Sequence, residues 1–142
     1  MRIKEIMTDN PVCCRRETSL EEVARMMLEN DCGSIPVVED QEKWKPMGIL
    51  TDRDIVTRAV ADGRNPCEMQ AIDVMTPNPV CVDVDSDVEE AVRLMEKHRV
   101  RRILACDRKG GCVGIVSQAD LARHLGERET GEVVEELSQP SI

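Results

Sequence analysis

Apolar positions along this chain change their period in a fixed order, and they do so twice. After a loop at Asn10-Pro11, the run 12–15 predicts a short strand. Leu20, Val23, Ala24, Met27 and Leu28 then fall at i, i+3, i+4, i+7 and i+8, which predicts a helix buried along that stripe. Two short apolar runs, 35–38 and 47–50, predict strands, and a last helix is expected over 52–61. After Asn78-Pro79 the order recurs. A strand is expected over 80–84, where Val80, Val82 and Val84 alternate with Cys81 and Asp83, then a helix with Val88, Ala91, Val92 and Met95 on one face. Strands over 103–106 and 113–116 and a helix over 118–125 complete it, and Asp107-Arg108-Lys109-Gly110-Gly111 is a hairpin signal. Thr18-x-x-Glu21 and Ser86-x-x-Glu89 predict capping boxes at the starts of the two longer helices.

The residues themselves repeat. IMTDNPVC at 6–13 returns as VMTPNPVC at 74–81, an offset of 68, at which Glu21, Glu22, Arg25, Met27 and Ile35 also meet identical residues. GILTDRDIV at 48–56 meets GIVSQADLA at 114–122 at an offset of 66, so the first copy has a loop longer by two residues. Each copy reads β-α-β-β-α, a mixed α/β arrangement of the α+β kind. Three short strands bury too little to stand alone, so the two copies are expected to pack sheet to sheet. The expected organisation is a first motif over 1–62, a linker over 63–70, a second motif over 71–126 and an acidic tail over 127–142, together one domain. The tail sets Glu127, Glu129, Glu132, Glu135 and Glu136 against Arg128 and reads as a weak helix or solvated end, with partner docking as the alternative.

Composition narrows the function classes. The chain of 142 residues has no Phe, no Tyr and a single Trp, Trp44. Base-stacking platforms need aromatic rings, and a net charge of −9 has the wrong sign for the phosphate backbone, so nucleic acid is disfavoured twice. There is no apolar run of bilayer-spanning length and no secretory signal pattern at the start, which points to a soluble, cytoplasmic protein with no membrane partner. The seven cysteines contain no C-x-x-C pair, and His98 and His124 are far apart, so no metal site is expected and scattered core thiols are the plain reading. If any thiols respond to oxidants or metals, Cys13-Cys14 and Cys106/Cys112 are the candidates.

Enzyme signatures are missing: no G-x-S-x-G, H-E-x-x-H, P-loop or G-x-G-x-x-G occurs, and no catalytic residue is expected. What repeats is a hydroxyl and a carboxylate three residues apart after an apolar strand: Thr51 with Asp54, and Ser117 with Asp120. Either pair can close a helix cap. Either can equally serve a ligand, since a strand-to-helix corner offers backbone N–H groups to an anion and an outward carboxylate suits the hydroxyls of a ribose. The run Lys97-His98-Arg99-Val100-Arg101-Arg102 is an island of positive charge that suits phosphate or, equally, a helix C-terminus.

The twofold β-α-β-β-α order, the repeated I/V-M-T-x-N-P, the segment Gly33-Ser34-Ile35-Pro36-Val37-Val38 and the paired G-[IV]-[LV]-[TS]-x-x-D resemble a tandem CBS-domain pair over about residues 3–125. The resemblance implies two CBS motifs related by a pseudo-two-fold axis, commonly assembled into a homodimer. It also implies a cleft between the motifs for an adenine-containing regulatory ligand such as AMP, ADP, ATP or S-adenosylmethionine, with Mg²⁺ possible beside a polyphosphate and no other cofactor required. Carried over, one cleft uses Thr51, Asp54, Thr76, Val80, Arg101 and Arg102. The other uses Ser117, Asp120, Thr8, Val12, Gly33 and Ser34. Only the first receives arginines from the opposite motif, so it is expected to bind the nucleotide and the second to bind more weakly. The implied function is a non-catalytic sensor that signals to an unknown regulated protein or across the homodimer. A ligand-free interaction scaffold is the alternative.

Overall fold

The computed structural model describes residues 1–40 and 43–124. In chain order these form α1 (Ile3–Ile6), β1 (Thr8–Asp9), β2 (Cys14–Arg15), α2 (Leu20–Asn30), β3 (Ser34–Val38), β4 (Pro46–Thr51) and α3 (Asp52–Ile55), which continues as a π-helical turn over Val56–Val60. Two 3₁₀ turns, Pro66–Glu68 and Ala71–Asp73, lead to β5 (Thr76–Pro77), β6 (Cys81–Asp83), α4 (Val88–His98), β7 (Arg102–Cys106), β8 (Cys112–Ser117) and α5 (Gln118–His124). The expected acidic tail, 127–142, lies outside the described residues.

The strands make two four-stranded sheets, ordered β2-β3-β4-β5 and β1-β8-β7-β6. Both follow one plan. A short strand runs parallel to the next across a helix, β2 to β3 over α2 and β6 to β7 over α4, as a parallel pair requires a crossover. Antiparallel hairpins β3–β4 and β7–β8 follow, each with a register shift near its turn. The fourth strand of each sheet comes from the other repeat: Thr76 pairs with Ile49 and Thr8 with Ile115, both antiparallel.

The chain accordingly divides into one unit of Pro11–Pro79 and another of Met1–Asn10 with the chain from Val80. The repeats, read along the sequence as 1–62 and 71–126, exchange their leading segments. Two causes are visible. The outer edges of β4 and β8 carry backbone groups that need partners, and the I/V-M-T segments supply them. At the contact stand Gly48 and Gly114. A Cβ on Gly48 would lie 2.7 Å from Met75 Sδ and 2.9 Å from the Thr76 carbonyl, and one on Gly114 would overlap Met7 Sδ and lie 3.1 Å from the Thr8 carbonyl. The segment 63–70, expected as a linker, is built into the first unit: Met69 is buried, and its carbonyl accepts from Leu20 N.

Each unit has its own core. Leu20, Val23 and Met27 of α2 pack with Ile35, Val37 and Leu50 in one, and Val88, Ala91 and Met95 of α4 with Ile103, Val116 and Leu121 in the other. The expected stripe on α2 is too wide, because Ala24 and Leu28 face outward, Leu28 with 82% of its surface exposed. The cap positions also move by one residue. Ser19, not Thr18, caps α2 by accepting from Glu22 N at 3.1 Å, while the Thr18 hydroxyl accepts from Arg15 N. Asp87, not Ser86, is the N-cap of α4, and its side chain makes no cap bond. The strand feeding each helix stays extended one residue further than the S/T-x-x-E pattern assumes. Both helices end on a left-handed residue, Asp31 (φ 48°) and Arg99 (φ 53°), whose N–H returns to the carbonyls of Met27 and Met95.

Candidate functional site

The two hydroxyl–carboxylate pairs stand where β4 runs into α3 and β8 into α5. In both, the cap closes. Thr51 Oγ1 accepts from Asp54 N at 3.1 Å, and Asp54 Oδ2 accepts from Thr51 N at 2.9 Å. Ser117 Oγ accepts from Asp120 N at 3.2 Å, and Asp120 Oδ2 accepts from Ser117 N at 2.8 Å. Of the two readings left open by residue types, capping is thus realised in both copies. It occupies one oxygen of each carboxylate and fixes the direction of the other, Oδ1.

What Oδ1 meets differs between the copies. Arg58 Nε stands 3.9 Å from Asp54 Oδ1, while Arg58 Nη1 donates to the Thr76 hydroxyl at 3.1 Å and to the Val74 carbonyl at 2.9 Å. Asp54 keeps 14% of its side chain exposed. Asp120 Oδ1 instead accepts directly from Arg123, and only 5% of the Asp120 side chain is exposed. The motif spacing pointed to neither arginine, although both lie one helical turn after their aspartate, at i+4 and i+3, where side chains meet.

Thr51, Asp54 and Thr76, expected together, are together in the unit 11–79, joined through Arg58. Ser117, Asp120 and Thr8 are likewise together in the other unit, where Thr8 pairs with Ile115 of β8. The remaining expected residues belong to the opposite unit in each case. Val80, Arg101 and Arg102 lie in the unit of Ser117: Arg102 faces Ser117 across the hairpin, and the Arg101 carbonyl accepts from Gln118 N. Val12, Gly33 and Ser34 lie in the unit of Thr51, where Ser34 faces Thr51 and the Gly33 carbonyl accepts from Asp52 N. A Cβ on Gly33 would lie 3.0 Å from Asp52 Oδ2. Each strand start therefore borders the box of its own sheet.

The cysteines fall into distinct environments, and none is in a disulfide. Burial pushes the Cys14 thiol up to about 12, with Glu22 adding to the shift, so this thiol is inert at neutral pH. Cys13 donates to the Pro11 carbonyl at 3.4 Å. Cys81 and Cys106 are hydrogen-bonded to each other, which holds Cys81 below the ordinary thiol range and, with burial, Cys106 above it. The pairing joins Cys106 to Cys81 on the parallel neighbour, a partner absent from the expected candidates because only strand register brings it near. Among the described residues, no group of three or more His, Cys, Asp or Glu is arranged to hold a metal ion. Nor, among them, is any helix long and apolar enough to cross a membrane.

Two four-stranded sheets with exchanged edge strands, each ending in the same hydroxyl–carboxylate corner, define a tandem-motif α+β domain. The CBS domain family model matches residues 3–61 and again 71–127, and the chain belongs to that family. Hypoxic response protein 1 of Mycobacterium tuberculosis is 33% identical over 137 residues, covering 96% of this chain and 94% of that protein. A crystal structure of hypoxic response protein I with two coordinated zinc ions superimposes with a TM-score of 0.76 at 32% identity, over 89% of this chain and all of that one. The CBS domain pair of protein MJ0100, solved with 5′-methylthioadenosine and S-adenosyl-L-methionine, gives a TM-score of 0.76 at 25% identity, over 87% of this chain and 94% of that one.

Proposed function

We propose that this protein is a non-catalytic, cytosolic sensor of an adenosine-containing ligand, which it reports to a partner protein or a second copy of itself. The observation that carries the reading is the repeated fixation of Asp54 and Asp120. Each carboxylate is locked by its own cap, with one oxygen left beside an arginine, an arrangement suited to a ribose hydroxyl pair next to a phosphate or carboxylate. The occurrence of methylthioadenosine and S-adenosylmethionine on the MJ0100 pair supports the ligand class. With no Phe or Tyr in the chain, an adenine ring would be held by aliphatic side chains and backbone groups.

The preferred ligand in this reading is held by Thr51, Asp54, Thr76, Val80, Arg101 and Arg102. A second, weaker position takes Ser117, Asp120 and Thr8 with Val12, Gly33 and Ser34. A ligand that prefers one conformation of the protein shifts the conformational equilibrium by its differential affinity. At a hundredfold excess over Kd it stabilises the fold by about 2.7 kcal/mol. The test is a thermal-shift and calorimetry panel with AMP, ADP, ATP, S-adenosylmethionine and methylthioadenosine on the wild type, Asp54→Ala and Asp120→Ala. At least one adenosyl compound is expected to raise Tm, and Asp54→Ala is expected to lose more affinity than Asp120→Ala. A panel without any shift favours the scaffold reading, and equal losses overturn the ranking of the two positions.

A further inference from the structure

The second unit carries a thiol pair that the sensor reading does not use. Cys81 opens β6, an edge strand of its sheet, and is exposed, whereas Cys106 closes β7 and is buried. The parallel register sets Cys81 against Leu104 and Asp83 against Cys106, so Cys81, Leu104 and Cys106 project from one face of the sheet. The Cys106 thiol donates a hydrogen bond to the Cys81 sulfur. Cys112 faces Cys106 across the β7–β8 hairpin but turns its own thiol to the Gly114 carbonyl, 3.6 Å away. At the offset of 68 the first copy has Cys13 and Val38, so the pair exists in the second copy alone.

We propose that Cys81 and Cys106 form a peroxide-responsive pair that closes reversibly to a disulfide. An exposed sulfur stabilised as thiolate, with a second thiol already in contact, is the arrangement that favours selective oxidation and prompt resolution. The Cys81 thiolate attacks one oxygen of hydrogen peroxide and the O–O bond breaks. The departing hydroxide takes a proton and leaves as water, and Cys81 becomes a sulfenic acid. Cys106 gives up its proton and attacks the sulfenic sulfur. The S–S bond forms as the S–O bond breaks, and a second water departs with that proton. Two thiols and one peroxide thus become one disulfide and two waters.

Diagonal neighbours on adjacent strands have Cα atoms roughly 7–8 Å apart, wider than the ~5.5–6 Å usual for a disulfide. Closure therefore draws the start of β6 toward β7. Three residues at a sheet edge can make that movement, and the resulting bond belongs to the labile, regulatory kind.

The experiment treats the full chain with stoichiometric hydrogen peroxide, blocks remaining thiols and digests without reduction. A glutamate-specific protease cuts after Glu68 and so separates Cys67 from Cys81. The expected product is a Cys81–Cys106 cross-linked peptide lighter by two hydrogens and restored by a dithiol reductant. It should persist in Cys67→Ser and Cys112→Ser and vanish in Cys81→Ser, which alters an exposed position. In unoxidised protein at neutral pH, Cys81 should alkylate several-fold faster than Cys67, the other exposed cysteine, and Cys106→Ala should remove that advantage. A Cys106–Cys112 bridge, accumulation of sulfinic acid at Cys81 without a cross-link, or equal alkylation of Cys67 and Cys81 would each overturn the proposal.

Discussion

The units 11–79 and 80 onward with 1–10 share a plan but hold their matching carboxylates differently. Asp54 is partly open, with Arg58 3.9 Å away and divided between that carboxylate, Thr76 and Val74, whereas Asp120 is buried against Arg123. The cap bonds are the same in both, so the cap is not what distinguishes them. The difference lies one helical turn later, where α3 gives way to a π-helical turn carrying Arg58 and α5 stays regular and carries Arg123. The two corners share the chemistry that shapes them and differ in how closely an arginine meets the second carboxylate oxygen. A carboxylate left loosely paired is the one a ligand can take over at smaller cost.

The largest effects are expected where the exchanged strands dock. Gly48→Ala and Gly114→Ala both put a methyl group into the I/V-M-T segment, and overpacking of this kind costs about 1–3 kcal/mol. In both the tightest neighbour is a flexible Met sulfur, but Gly48→Ala should be the worse, because its Cβ would also lie 2.9 Å from the Thr76 carbonyl, against 3.1 Å from the Thr8 carbonyl at Gly114. Urea denaturation of the two variants measures this. A neutral Gly48→Ala would show that β5 is not held tightly against the edge of β4.

The aspartates come next. Asp120→Ala leaves Ser117 N without its acceptor in a buried corner and should cost about 2 kcal/mol, against about 1 kcal/mol for Asp54→Ala at a more open cap. Chemical denaturation without ligand isolates this from binding. Equal losses would mean that the difference in burial has no energetic weight.

Much of this plan was legible in the residues, because period and repeat report local structure. The seven longer helices and strands, α2, β3, β4, α4, β7, β8 and α5, fall where the apolar pattern sets them, and the G-[IV]-[LV]-[TS]-x-x-D corners form the capped turns that their residue types allow. Three features were not legible, and each depends on contacts distant in sequence. The exchange of leading segments is invisible to periodicity: the repeated Met and the repeated Gly are conspicuous as motifs, but only strand pairing at the edge of each sheet shows that Met7 fits Gly114 and Met75 fits Gly48. Leu28 looks like a core position on α2, yet the stripe in this unit closes at Met27 and leaves Leu28 outside. At the offset of 68 its counterpart is Glu96, a hint that the position faces water. Cys81 and Cys106, with 24 residues between them, meet only because β6 and β7 are parallel neighbours in that register.

The smallest contrast is in alkali, where the thiols of the two units act in opposite ways. Cys14, buried in the first unit, has its thiol raised from 9.0 to about 12. A folded-state pKa above the unfolded value gives stability that is complete below about pH 9 and declines as pH rises toward 12, because the unfolded chain releases its proton first. Between pH 9 and pH 10 this removes about 1 kcal/mol. In the second unit Cys106 is raised in the same sense, but Cys81 is lowered and so adds stability above the unfolded pKa, which opposes the loss. Urea midpoints from pH 8 to pH 10 should therefore fall less steeply in Cys14→Ala than in the wild type. They should fall more steeply in Cys81→Ala, where Cys106 becomes a second solitary buried thiol. If Cys14→Ala keeps the wild-type slope, the alkaline loss does not originate in the first unit. If Cys81→Ala fails to steepen it, the two sulfurs titrate independently and the hydrogen bond between them carries no weight.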